Sequence, residues 1–157
     1  MTDRLAELEQ RELIRARVAR SARALDACDF DGFIALFAEG AEYAMEVATP
    51  EIKRDSTWLR ADRAELARLL SESSQHIHDL AARFHLVTVE EVDIEPGRAS
   101  SLSRFVVVRT DLQGRSDVYA VGTYEDEWIA GEAGWMIARR TVRLQTRMME
   151  APTPMPL

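Results

Sequence analysis

Four long runs of alternating apolar and polar residues fill the second half of the chain: Phe84–Glu95, Ala99–Thr110, Ser116–Ile129 and Trp135–Thr146. Only a few residues separate them, namely Pro96-Gly97-Arg98, Asp111–Gly114 and Gly131–Gly134, all of tight-turn composition. Such short links cannot carry a parallel crossover, so the runs must pair as an antiparallel meander. The alternation is clearest where Leu102, Arg104, Val106 and Val108 oppose Ser103, Phe105 and Val107. Strands this long exceed the usual five or six residues or so, and they bend. The pairs Glu90-Glu91 and Arg139-Arg140 each break the two-residue period, and a β-bulge is expected at each.

The first half reads differently. Leu5, Leu8, Ile14, Val18, Ala22 and Leu25 recur at helical steps among alternating Glu and Arg, with Asp3 as an N-cap or a first-turn acid. After a break at Asp26–Asp29, a short second helix is expected to carry Phe30, Phe33, Ile34 and Phe37, with Gly40 closing it. Ala41–Val47 and Ser56–Arg60 read as strands, with Pro50 in a loop between them. Asp62 with Glu65 forms a capping box for a third helix, Arg63 to Gln75, whose stripe is Leu66, Leu69 and Leu70. Three N-terminal helices before a meander give an α+β fold: helices packed on a strongly curved, mainly antiparallel mixed sheet. A long bulged sheet folded over helices encloses a cone, so a pocket is expected. Residues 1–150 form one domain. Three of the five prolines fall in 151–157, which is expected to run extended as a tail.

Composition removes several classes of function. Hydrophobic residues at 46% and charged residues at 30% suit an ordinary globular domain. The net charge of −7 argues against nucleic acid as a partner. No apolar run approaches a membrane span or a signal core, so a cytoplasmic location and no membrane partner are expected. Lys53 is the only lysine, which leaves arginine to form the fixed ion pairs. Cys28 is the only cysteine. One thiol cannot make an intrachain disulfide, a CxxC redox pair or a cysteine-ligated iron–sulfur cluster.

The remaining candidates for chemistry are few. His76-Ile77-His78-Asp79 could place two imidazoles together on an extended segment, or simply end a solvated helix. His85 opens a long strand beside Arg83 and Phe84, as a general base in a pocket or as a hydrogen-bonded structural residue. Asp26, Asp29 and Asp31 cluster between two helices, where capping accounts for them. Asp31, Tyr43 and His85 form the triplet with acid–base potential if the cone brings them together. No GxSxG, GxGxxG or GxxxxGK[ST] pattern occurs, so a nucleophile elbow and nucleotide binding lack support. Cys28 precedes Asp29, whose charge disfavours a thiolate.

Read together, the segments resemble a known family. Leu36-Phe37-Ala38-Glu39-Gly40-Ala41-Glu42-Tyr43 resembles the "LF…dA.Y" start of the NTF2-like (SnoaL-like) fold. Within it, Trp58–Leu66 is similar to the "i.yDDR..L" helix entry of the small (beta) subunit of Rieske-type aromatic ring-hydroxylating oxygenases. Arg83–Val89 is similar to that family's "tRHlvsNv", and Ser103–Thr110 to its "sNf.vyRt". Val118–Asp126 and Gly134–Leu144 resemble its closing "v.aGr..D.l" and "gwriarR.v.lD". The sequence departs at Arg104, where an Asn is common, and at Gln145, where an Asp is. A divergent branch, such as the small subunits of sulfonate or other non-benzenoid monooxygenases, accommodates these departures.

The resemblance implies an NTF2-like cone and a non-catalytic subunit in the catabolism of aromatic or related compounds. It implies no cofactor or metal in this chain. The Rieske [2Fe-2S] cluster and the mononuclear iron would lie in a large (alpha) subunit, with this chain a homotrimer within an alpha3beta3 assembly. Two other readings stay open. One is a stand-alone NTF2-fold enzyme of the dehydratase or isomerase kind, using Asp31 or His85 with Tyr43. The other is a protein of the same fold that holds a small ligand.

Overall fold

A computed structural model describes residues 2–76, 79–149 and 157. The order is α1 (Thr2–Asp26), α2 (Phe30–Ile34), β1 (Phe37–Val47), a 3-10 turn at Pro50–Ile52, β2 (Ser56–Asp62), α3 (Arg63–His76), β3 (Ala82–Glu95), β4 (Arg98–Thr110), β5 (Ser116–Gly131) and β6 (Gly134–Leu144). The strands form one sheet in the order β2-β1-β6-β5-β4-β3. The meander pairs antiparallel throughout, whereas β1 lies parallel to β6, which makes the sheet mixed. Helices α1 and α3 cover its concave face against β3 and β1, with α2 between them. This is the expected α+β cone.

Local chemistry explains the helix starts. Asp29 caps α2 by accepting from the Gly32 N–H at 3.0 Å, and Asp62 caps α3 by accepting from the Glu65 N–H at 2.8 Å. Only the C-terminal half of α1 reaches the core, through Ile14, Val18, Ala22 and Leu25. The inner rows of the sheet, including Phe105, Val107, Tyr124, Trp128, Ile137, Val142 and Leu144, complete the apolar interior.

The structure corrects three expectations. The second helix ends at Ile34 and is not closed by Gly40, because Phe37 already belongs to β1. There the Ile137 N–H donates to the Leu36 carbonyl at 2.8 Å, so pairing with β6 overrides the helical spacing of the aromatics. Gly40, at φ 75, instead serves an irregularity within β1, between the Phe37 and Glu42 pairings. The Glu90-Glu91 bulge occurs where expected. The second bulge does not fall on Arg139-Arg140. Glu127 pairs with Arg139 and Trp128 with Ile137, so Ala138 is the extra residue. Beyond the bulge, Arg140 shares the inward phase of Val142 and Leu144. Of the tail 151–157 and of the His76-Ile77-His78 segment, only Leu157 and the backbone of His76 lie within the described residues.

Candidate functional site

Strand β3 alternates about His85. Phe84, Leu86 and Thr88 face outward, while His85, Val87 and Val89 face the helices. The carboxylate that meets His85 comes from Asp26, the last residue of α1. His85 Nδ1 lies 2.5 Å from Asp26 Oδ1, and the His85 main-chain N–H donates to Asp26 Oδ2 at 3.0 Å. A carboxylate at a helix C-terminus opposes the helix dipole. Its two partners on β3 offset that cost and pin the end of α1 to the sheet. A carboxylate oxygen accepts, so Nδ1–H is the donor toward Asp26 and Nε2 is the ring nitrogen left for another partner. Nε2 is buried without a protein partner, as are Ser103 Oγ and Tyr124 Oη.

Ser103 and Tyr124 are direct partners across β4 and β5, and Phe105 stacks on Tyr124 at 4.4 Å. The concave wall of β3, β4 and β5 thus carries three unpartnered polar atoms around one aromatic pair. Deeper in, Arg140 and Asp126 form a fully buried bidentate pair at 2.7 and 2.8 Å. Arg140 Nη1 also donates to Ser21 Oγ at 2.9 Å, and the guanidinium lies 4.5 Å from the Tyr124 ring centroid. Burial, which alone would lower the Arg140 pKa, is outweighed by Asp126, and the net shift is upward. Burial likewise pushes the hydroxyls of Tyr43 and Tyr124 above their ordinary range.

The structure does not bring the expected triplet of Asp31, Tyr43 and His85 together. Asp31 is exposed in α2, where its carbonyl accepts from the Ala35 N–H. Tyr43 is buried on β1, with β6, β5 and β4 between it and His85 in the sheet. Its hydroxyl donates to the Leu157 main-chain oxygen at 2.6 Å. Asp26 therefore stands as the acid beside His85 in place of Asp31. Sequence reasoning gave Asp26 a capping role, and nothing local distinguishes it from Asp29. Arg140 had a readable signal, since it shares the inward period of Val142 and Leu144. Cys28 is exposed at φ 53. Among the described residues, no three His, Cys, Asp or Glu side chains gather as a metal site would.

Part of the outer face of the same strands is apolar. Cross-strand register sets Phe84 beside Val108 and Val118, and Leu86 beside Val106 and Val121. Phe84, Leu86 and Val118 are 60%, 53% and 66% exposed. Two adjacent three-residue apolar rows are unusual on a solvated sheet face and suit an interaction surface.

The profile of the SnoaL-like domain matches residues 6–141. The chain belongs to the SnoaL-like domain family. Among curated relatives, it is 26% identical over 156 residues to the methanesulfonate monooxygenase hydroxylase subunit beta of Methylosulfonomonas methylovora. That alignment covers 93% of this chain and 86% of the relative. It is 21% identical over 132 residues to the 2-aminobenzenesulfonate 2,3-dioxygenase subunit beta of an Alcaligenes species, covering 82% and 86%. Among solved structures, one assigned as the beta subunit of an aromatic-ring-hydroxylating dioxygenase from Novosphingobium aromaticivorans superposes with a TM-score of 0.77. Its identity is 17%, with coverage of 92% of this chain and 94% of that one. This SnoaL-like chain therefore has the NTF2-like fold. No helix among its described residues is long and apolar enough to cross a membrane.

Proposed function

We propose that this chain is the non-catalytic small subunit of a Rieske non-haem iron oxygenase acting on aromatic or related compounds, with sulfonates a fitting substrate class. One observation carries the reading. The likeness to the methanesulfonate monooxygenase hydroxylase subunit beta runs through 93% of this chain and 86% of that one. The likeness is spread along both chains rather than confined to one shared motif. The exposed apolar rows of β3, β4 and β5 supply the kind of surface that assembly buries.

Among the described residues, the chain's own donors do not fit the iron groups. Its sole cysteine is exposed, and His85 Nδ1 is held by Asp26. The Rieske cluster and the mononuclear iron are accordingly assigned to the large subunit. This chain supplies a rigid trimeric base in an alpha3beta3 complex in the cytoplasm.

Co-expression with a large subunit of the Cys-x-His…Cys-x-x-His type from the same genome, followed by size exclusion, tests the reading. Both chains are expected in one peak of six-chain mass that carries all the iron. Separate elution in every condition that yields folded chains overturns it. Phe84→Glu with Val118→Glu should disrupt the peak while each chain remains folded.

The Asp26–His85 pair favours a second reading, a stand-alone acid–base enzyme. There His85 Nε2 would take a proton from a carbon or hydroxyl beside a carbonyl group, with Asp26 holding the imidazole. Under it, the isolated chain should catalyse proton exchange α to a carbonyl, and His85→Gln should abolish that activity. In the subunit reading, His85→Gln leaves iron content and oxygenase turnover of the complex intact.

A further inference from the structure

The first half of α1 lies outside the core. Residues 4–9 are all exposed, and among the described residues Ile14 is the first buried side chain of the helix. Trp135 Nε1 donates to Gln10 Oε1 at 2.8 Å, which holds this arm beside the β5–β6 turn. Leu5 stands half a turn from Ile14 around the helix, so the arm points its leucines away from the core. Leu5, Leu8 and Leu13 are 59%, 51% and 52% exposed, and they line one open hollow with Glu9 and Glu12. A helical segment of about twelve residues is marginal in water without packing, so this face calls for a cover.

The outer face of β3, β4 and β5 offers one, with its apolar rows Phe84–Val108–Val118 and Leu86–Val106–Val121. The next row along is Thr88–Arg104–Thr123, and Arg104 is exposed. The two surfaces cannot meet within one chain. The arm lies at the Pro96 end of β3, where Arg4 and Glu7 share a hollow with Ile94 and Pro96. The rows lie about 30 Å away at the other end of the strand, on the side of the sheet opposite the helices. Two matching surfaces at opposite ends of a chain join head to tail between copies, and such contacts can close into a ring.

The charges fit the same docking. Leu8 and Glu12 are about 6 Å apart along the helix, and Val106 and Arg104 about 7 Å apart along β4. A helix laid with Leu8 on Val106 therefore brings Glu12 to Arg104 of the next copy. Glu12 now pairs with Arg15 at 2.7 Å and Arg104 with Glu90 at 2.9 Å. Both pairs lie at the surface, where ion pairs exchange at little cost. We propose that the α1 arm of one copy docks on the outer apolar rows of the next, with Glu12 paired to Arg104. Three such contacts close the homotrimer, a number that rests on the oxygenase-subunit reading.

Sedimentation equilibrium of the isolated full chain tests the contact. The unaltered chain is expected at three-chain mass. Leu8→Glu should weaken association tenfold or more without changing the circular dichroism spectrum, because it sets a charge against the apolar rows. Glu12→Arg and Arg104→Glu should each weaken association about tenfold, and the two together in one chain should recover most of that loss. The recovery identifies the occupant, since sheet-to-sheet or arm-to-arm pairing of two copies does not join residues 12 and 104. A monomer at every concentration, a Leu8→Glu chain that keeps its three-chain mass, or a double reversal as weak as the single changes overturns the proposal. A monomeric chain that still co-elutes with the large subunit overturns this contact alone and leaves the subunit reading standing. A chain that closes the ring through this contact but never co-elutes with a large subunit supports the contact and overturns that reading.

Discussion

Arg139 and Arg140 are neighbours in sequence, and the fold gives them opposite fates. Arg139 is half-exposed, with its side chain 52% accessible, whereas Arg140 and its partner Asp126 are completely buried. Replacing Asp126 by Asn keeps the shape but removes the charge. The guanidinium is then left in the core with Ser21, the Tyr124 ring and one neutral acceptor in place of two charge-assisted bonds at 2.7 and 2.8 Å. Breaking a buried pair from one side costs about 3–5 kcal/mol, mostly from the uncompensated charge. For a domain of this size, about 2–4 °C of melting temperature follows each kcal/mol, so a fall of about 6–20 °C is expected. Arg140→Met should cost about as much, because it strands the Asp126 carboxylate.

The double variant Asp126→Leu with Arg140→Met replaces both charges by apolar groups and should be less destabilised than the two single changes summed, by at least about 2 kcal/mol. Arg139→Met is the control and should stay within about 0.5 kcal/mol of the unaltered chain. Urea denaturation of the five variants (Asp126→Asn, Asp126→Leu, Arg140→Met, the double and Arg139→Met), with the slope checked for constancy, reads all of these values. If Arg140→Met costs no more than Arg139→Met, the argument from buried charge is wrong.

Three further predictions are independent of that pair. A Cβ on Gly122 would lie 2.3 Å from the Arg143 carbonyl oxygen and 2.8 Å from Phe105 Cζ. Gly122→Ala should therefore destabilise by about 1–3 kcal/mol in chemical denaturation, since a backbone atom cannot move aside cheaply. Asp79 accepts two bonds from Arg109, at 2.9 and 2.7 Å, and Arg109 holds its pKa down at about 2. A pKa depressed on folding stabilises the protein above the ordinary carboxylate value, and that stabilisation is lost as pH falls from about 4 towards 2. Asp79→Asn should lower stability at pH 7 and flatten this part of the pH curve. Cys28 adopts a left-handed conformation at φ 53 while exposed. Cys28→Gly should raise stability by about 0.5–1 kcal/mol, measured as a higher urea midpoint.

Much of this architecture was legible before any coordinates. The turns at Pro96-Gly97-Arg98 and Gly131–Gly134 forced a meander because their shortness leaves no other connection. The Glu90-Glu91 bulge was visible as a break in a period of two. Both are local signals, written within a few residues of the feature they cause. Phe37 misled for the same reason. Its spacing from Phe33 is helical, yet it is claimed by a strand exactly 100 positions later, Ile137, through a parallel pairing that leaves no local trace.

The site was legible in its residue types but not in its partnerships. His85 was singled out, but Asp26 and Asp31 look alike as isolated carboxylates between helices. Only the crossing of α1 over β3 chooses Asp26, 59 positions away. Tyr43 belongs to the triplet the sequence suggests, and the fold gives its hydroxyl to Leu157 instead. The sequence by itself determined the layers, the meander and the helix caps, because these follow from side-chain period and turn chemistry within a short stretch. The tertiary structure alone decided which charges are buried together, which tyrosine is capped and which apolar face is left open, because those depend on register between segments far apart in the chain.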